Sequence, residues 1–451
     1  MNLELTYEKT RALLNLLVEA IEADRYPFSP TRSLYAKPLG GDPLKFGLAR
    51  RNCSVAEHTR SGRRGSRRAD GGAAGHDIRR PSIVRLTKDS TPCNFAMTLQ
   101  GGAVRRRSPR SPHSQLVGKR MEYRQFGKTD LKVSAIGFGC WEIGGTYGQI
   151  DESQFARAVQ SAIDNGINCF DTAEAYGMGV SEEALARALG NRREDVAIVT
   201  KFGVGYEEMP NRRDSSRARV IMSIDKSLQR LQTDHVDVYL VHWPDPETPL
   251  DETMRALDDI VRQGKARYIG VSNFRLAQIE ACMRLRRVDV VQYGWNMFDR
   301  RMQAEIFPYC AAQEIGVMAY GSLAYGMLSG TFHAGMQFEE SDWRSKGGML
   351  GNINLFRSLF GAEHFPGNLQ AVEDLKRLAA KYDKTLPQFA LRWTLSNPAV
   401  GTALVGFREP PEVTENLGAL GWTISAADKV EIDAILERRG CVTVPPGWLE
   451  D

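Results

Sequence analysis

From residue 121 onward the apolar positions follow two alternating rhythms. Short, nearly continuous apolar runs alternate with longer stretches in which apolar residues recur at three- and four-residue steps. The first pattern predicts strands buried on both faces, the second amphipathic helices. The predicted strands are Ala135–Gly139, Asn168–Asp171, Val196–Thr200, Val236–Val241, Ala266–Val271, Val288–Tyr293, Val317–Tyr320 and Thr402–Val405. Helical patterns lie between them at Glu152–Asn165, Ser181–Leu189, Arg217–Leu231, Leu250–Gln263 and Gln303–Glu314. Ahead of the first strand, Glu122–Phe126 and Leu131–Ser134 flank Gly127-Lys128-Thr129-Asp130 and predict a hairpin. Past Tyr320 comes a Gly-rich stretch, 326–367, then helices over Asn368–Tyr382, Leu386–Leu395 and Ala426–Arg439. Eight strands alternating with helices predict an α/β fold, a (β/α)8 TIM barrel with an N-terminal β-hairpin as its floor. A connection as long as 326–367 predicts a binding loop at the active face.

Residues 1–120 do not continue this pattern. Leu13, Leu14, Leu16, Leu17, Val18 and Ile21 are spaced for one helix ending near Tyr26-Pro27. Beyond it the chain turns rich in Arg, Gly and Ser, with too few apolar clusters to offset the entropy of ordering, which predicts disorder. Charge separates the two parts. Residues 1–120 carry 23 Lys and Arg against 10 Asp and Glu, a balance of +13; the remainder carries 36 against 45, a balance of −9. The sequence thus divides into a basic extension, 1–120, and a barrel domain, 121–451, opened by Met121 after Lys119-Arg120. The extension also fits upstream sequence joined by a mistaken start site or a frameshift. Its Arg/Gly tract from Arg60 to Gly72 has the charge for nucleic acid, but no aromatic residue is interleaved between Arg50 and Arg80, so a solvated tail is expected and a nucleic-acid partner is not.

The seven cysteines are widely spaced, odd in number and without Cys-x-x-Cys, which argues for a reducing, cytoplasmic setting and against a zinc site or disulfide framework. There is no apolar run of about 18 residues, so no membrane span is expected. Glu4, Glu8 and Glu19 argue against a secretory or transit leader.

The candidate chemistry sits where successive apolar runs stop. Asn168-Cys169-Phe170 leads into Asp171, with Tyr176 five residues on; Val196–Thr200 ends in Lys201; Val236–Val241 ends in His242. In a parallel barrel the C-terminal strand ends form one rim, so an acid, a phenol, an ammonium and an imidazole are expected around one proton-transfer site. Each alone has an ordinary explanation: a turn cap, a packing tyrosine, a snorkelling lysine, a core histidine. Together, at three consecutive strand ends and one adjoining loop, they point to catalysis. Lys201 close to Tyr176 is expected to favour the phenolate. At 4 Å and an effective dielectric near 20 the attraction is about 4 kcal/mol, or roughly 3 pKa units before desolvation opposes it.

Asp171-Thr172-Ala173-Glu174-Ala175-Tyr176-Gly177, Thr200-Lys201 and Val241-His242-Trp243 resemble the signature segments of the aldo-keto reductases, and the resemblance runs from Met121 to the end of the barrel domain. It implies reduction of aldehydes and ketones by hydride from a nicotinamide cofactor, with Tyr176 as general acid, Asp171 paired to Lys201, and His242 orienting the carbonyl oxygen. It implies a carboxamide site at Ser272, Asn273 and Gln292, with Tyr320 stacked on the nicotinamide and Ser322 and Leu323 following it. At the adenine end it implies Gly406, Arg408, Glu412 and Asn416. Arg408 suits the 2′-phosphate of NADPH. Glu412, where relatives commonly have Gln or Arg, suits a free ribose hydroxyl, so NADPH is expected and NADH stays open. Gly321 stands where many relatives have Ser. Gly137-x-Gly139 does not make a Rossmann fingerprint, because its third position falls on Glu142 and no helix opens there.

Trp141, Trp243 and Trp295, with Met297 and Phe298, follow strands and are expected to wall an apolar site for a small carbonyl substrate; no metal is expected. No Arg or Lys is clearly placed to read a substrate carboxylate or phosphate. Two other functions fit the same residues: a slowly turning nicotinamide-binding redox sensor on this fold, and a barrel enzyme of aldolase type using Lys201 as nucleophile. Since every residue assigned a role follows Met121, a chain starting there should match the full chain in melting temperature and rate constant; a large loss of either shows that residues 1–120 are an integral part.

Overall fold

The computed structural model describes residues 121–441 apart from 146, 149, 207–208 and 347–355. The helix expected near Leu13–Ile21, the disorder expected over the rest of residues 1–120 and parts of the long loop lie outside the described residues. A two-stranded antiparallel hairpin, β1 (Tyr123–Gln125) and β2 (Lys132–Ser134), comes first. Eight parallel strands then close into a barrel: β3 (Ile136–Gly139), β4 (Cys169–Asp171), β5 (Ala197–Phe202), β8 (Val236–Val241), β9 (Ala266–Ser272), β10 (Val290–Gly294), β11 (Gly316–Tyr320) and β12 (Val400–Gly406). They stand around the barrel in chain order, β12 pairing with β3. All eight coincide with predicted strands to within a few residues.

A second hairpin, β6 (Val204–Tyr206) with β7 (Met209–Arg213), was not expected. Pro210, Asn211 and two arginines are poor strand formers, and only pairing at the rim makes them one. The helix expected from Gln303 begins instead at Ile306. Pro308 explains the shift, because a start at Gln303 would bury proline in the second turn, where its missing N–H and its ring break the ladder.

The barrel core obeys the two-residue period of a strand. One apolar cluster gathers Cys169, Ala197, Val199, Val238, Leu240, Val290, Met318 and Leu404 with Phe126, Leu131 and Val133 of the hairpin segment. The residues between them, among them Phe170, Ile198, Tyr239, Ile269, Val271, Val291 and Tyr293, belong to the larger cluster that packs the strands on the helices. Two steps past the inner apolar set come Asp171, Lys201, His242, Gln292, Tyr320 and Gly406. The period that fills the barrel with hydrocarbon therefore delivers polar groups to its top.

Phe126 plugs the bottom. It is fully buried, and a Cβ on either Gly316 or Gly401 would press on its ring, at 2.8 and 3.0 Å. Phe126→Ala should cost about 3–5 kcal/mol in denaturant unfolding. The catalytic rate per folded molecule should be unchanged, since the plug is at the opposite end from the polar rim.

Candidate active site

Lys201 ends the inner row of β5 with its ammonium fully buried. All three of its protons are taken: Nζ donates to Asp171 Oδ2 at 2.7 Å, to Thr172 O at 2.9 Å and to Tyr176 Oη at 3.0 Å. The bond to Thr172 O ties down the start of the loop that carries Tyr176. The other oxygen of Asp171 accepts from Gln292 Nε2 at 2.6 Å, which links β4 to β10 across the lumen. His242 packs edge-on to Tyr176, ring centroids 5.7 Å apart. The four residues expected to converge are thus brought together around one point.

Burial dominates their electrostatics. The Tyr176 phenol is pushed well above 10, by burial first and then by the charge of Asp171. The expected lowering by Lys201 is therefore not what this pocket does: desolvation of the phenolate outweighs the ammonium at 3.0 Å. Burial lowers Lys201 and raises Asp171, and their contact opposes both shifts. His242 is held well below 6.5, by burial and then by Lys201, so the ring is neutral; its Nδ1 is buried with no hydrogen-bond partner among the described residues.

A cavity of about 1210 Å³ opens on this cluster, lined by Asp171, Tyr176, His242, Trp141, Trp243, Ser272, Asn273, Gln292, Tyr320, Ser322, Leu323, Gly406, Arg408 and Glu412, among others. Asn273 Nδ2 donates to Ser272 Oγ and to His242 O, and its Oδ1 accepts from Tyr320 Oη at 2.8 Å. Ser272 Oγ donates to Gln292 O at 2.9 Å. Ser272, Asn273 and Gln292 therefore form one amide-rich patch beside Asp171. Glu412 Oε2 accepts from the Arg408 backbone N–H at 2.7 Å, while Arg408 Nη2 donates to Tyr147 O at 3.4 Å. Asn416, buried at the end of the helix Pro410–Asn416, does not line this cavity.

Trp295 is a correction. Its ring stacks on Trp393 at 4.8 Å and meets Phe307 edge-on, and its Nε1 donates to Thr394 O. The side chain leaves β10 on the outer side, so it packs helices rather than substrate. Met297 and Phe298 are likewise buried and outside the cavity lining. The wall comes instead from the long loop. Trp343 stacks on Trp141 at 5.9 Å, and Trp141 lies over Tyr176 at 6.1 Å. Tyr147, Tyr325, Phe332 and Phe356 complete it. Arg344 fastens this layer: it pairs with Asp342, donates to Tyr325 O at 3.1 Å and lies over the Phe338 ring at 4.7 Å. Arg213 also lines the cavity, against the Trp243 ring. The sequence carried one signal for this layer, the density of Tyr, Phe and Trp between 325 and 360 in a stretch otherwise read by its glycines.

A profile of the Aldo/keto reductase family matches residues 135–437. The chain belongs to that family. It is 36% identical over 333 residues to aldo-keto reductase YhdN of Bacillus subtilis (strain 168), covering 73% of this chain and 98% of the relative. It is 34% identical over 310 residues to a probable voltage-gated potassium channel subunit beta of Arabidopsis thaliana, covering 66% of this chain and 91% of that protein. Among solved structures, the glycerol dehydrogenase AKR11B4 of Gluconobacter oxydans superposes with a TM-score of 0.63 at 33% identity, over 70% of this chain and 95% of that one. The holo form of aldo-keto reductase AKR11C1 from Bacillus halodurans superposes with a TM-score of 0.57 at 27% identity, over 70% and 96%. Family membership makes the protein an oxidoreductase. Among the described residues no helix is long and apolar enough to cross a membrane, and no group of three His, Cys, Asp or Glu is placed to hold a metal.

The neutral His242 has a measurable consequence. Its pKa is depressed in the folded state, so below about pH 6.5 the unfolded chain takes up a proton that the folded one refuses. The stability lost on acidification should be smaller in His242→Gln than in the unmodified protein, the difference growing by up to about 1.4 kcal/mol per pH unit below 6.5. Denaturant unfolding of both proteins at several pH values checks this.

Proposed function

We infer that this aldo-keto reductase reduces small aldehydes and ketones with a nicotinamide dinucleotide, NADPH before NADH, and that Tyr176 is its general acid. The observation that carries the reading is the threefold engagement of Lys201 with Asp171, Thr172 and Tyr176, of which Asp171 and Tyr176 line a large cavity. At about 1210 Å³ the cavity exceeds the roughly 300–1,000 Å³ of ordinary small-molecule sites, leaving room for a dinucleotide beside a substrate. The Ser272 hydroxyl and the Asn273 and Gln292 amides offer the donors and acceptors a carboxamide needs, Tyr320 offers a ring face, and Gly406 and Arg408 offer a backbone approach and a cation at the phosphate end. A nicotinamide held by these residues would supply the hydride that the carbonyl carbon takes.

The protein supplies the proton and its direction. Because Lys201 donates to Tyr176 Oη, that oxygen accepts there and its own proton is left for a ligand. Burial keeps the phenol protonated until negative charge builds on the substrate oxygen. The phenolate left behind then sits 3.0 Å from the ammonium, an attraction of about 5 kcal/mol at an effective dielectric of 20. His242 Nδ1 is buried and has no acceptor among the described residues, which supports the tautomer with its proton on Nε2, free to donate to the carbonyl oxygen. Trp141, Trp243 and Trp343 exclude water, which strengthens each of these contacts. The 33% identity to a glycerol dehydrogenase supports a small, polar carbonyl or alcohol as substrate.

Similarity to channel beta subunits favours a second reading, a slowly cycling nucleotide-binding sensor. Single-turnover and steady-state rates separate the two: equal rates with fast turnover support the enzyme, a fast first turnover and stalled cycling support the sensor. Tyr176→Phe should lower turnover in a carbonyl screen by at least about a hundredfold with nucleotide affinity little changed. Normal reduction by that variant rules Tyr176 out as the acid.

A further inference from the structure

Of the carboxyls in the cavity wall that the reaction above does not use, Glu142 lies beside the barrel strands. Glu142 opens the 3-10 turn Glu142–Gly144 just past β3, in the position after Trp141. Gly406 stands opposite Gly139 in the pairing of β12 with β3, and a Cβ on Gly406 would overlap the Glu142 carboxyl. The absent side chain at Gly406 is therefore filled by the acid of its neighbour. Unlike Asp171, Glu142 has no ammonium bonded to it among the described residues, and its own backbone N–H acts on it as a hydrogen-bond donor. The charges facing it are Arg408 and Arg344, which favour the anion, and Glu412, which opposes it. The Tyr147 and Tyr176 phenols and the Cys140 thiol also feel its charge. Burial wins and pushes the carboxyl up to about 7.

We propose that Glu142 sets dinucleotide affinity: as a carboxylate it occupies the wall at Gly406 and repels the phosphates drawn by Arg408, and as a neutral acid it admits them. The inference rests on the reading of this cavity as a dinucleotide site. Its sign follows from linkage. An anionic ligand favours the neutral acid, so binding takes up a proton, and affinity falls as pH rises through about 7. His242, held neutral, does not titrate in that window.

The test is the Kd of NADH, measured by quenching of tryptophan fluorescence between about pH 6 and 9. NADH is chosen because the 2′-phosphate of NADPH would itself titrate near about pH 6. The unmodified protein should weaken by about tenfold between pH 6.5 and 8, the loss of its binding-competent neutral fraction. Glu142→Gln should bind tightly with a flat profile. Glu142→Ala, which removes the carboxyl without leaving an amide, should also be flat. Parallel pH profiles in all three proteins overturn the proposal, as does weaker binding by both variants at high pH, which would make the carboxylate a contact for the ribose. If the unmodified protein binds neither NADH nor NADPH at any pH, the dinucleotide reading falls and this inference falls with it.

Discussion

Lys201 is an ammonium with no access to water, at the top of a barrel whose interior beneath it is packed mainly with apolar side chains. A buried charge is tolerated only when paired and when its remaining protons find acceptors. That requirement organises the rim. It places Asp171 on the adjacent strand, brings the Thr172 carbonyl inward and holds Tyr176 by its oxygen. Asp171 in turn needs a donor for its second oxygen, and Gln292 supplies it from across the lumen. Three strand ends and one loop are thereby fixed by contacts that begin at a single ammonium.

The same exclusion of water shapes the chemistry. The aromatic layer of Trp141, Trp343, Tyr325 and Phe356 covers the cluster, with Arg344 and Asp342 anchoring the loop segment that carries Trp343. Beneath it the phenol stays protonated and the imidazole stays neutral, each the form suited to donating a hydrogen bond to a carbonyl oxygen. The depth of burial, more than any single neighbouring charge, sets those states. In the proposed reaction, an acid held this firmly would release its proton only when charge appears on a partner within reach.

Most of the barrel was legible in the sequence, because strands buried on both faces leave continuous apolar runs whose ends mark the rim. Asp171, Lys201 and His242 were visible for the same reason: each stands where such a run ends. The rest depended on contacts that sequence spacing does not encode. Trp295 follows a strand as Trp141 and Trp243 do, but only the direction of its side chain shows that it packs on Trp393. The Val204–Arg213 hairpin has poor strand formers and exists through pairing. The length of 326–367 pointed to a binding loop at the active face, but which of its aromatic residues form the wall depends on tertiary contacts. The rise of the Tyr176 pKa could not be foreseen from the pairing with Lys201, since its larger cause is the layer that covers it.

The central claim is that this cavity transfers hydride to a carbonyl carbon. Its most direct test uses NADPH carrying deuterium at the reactive C4 position with a panel of small aldehydes and ketones, and mass spectrometry of the alcohols. The account predicts catalytic formation of alcohol bearing one deuterium on the former carbonyl carbon. Tight binding of the nucleotide with no deuterated alcohol from any member of the panel would contradict it.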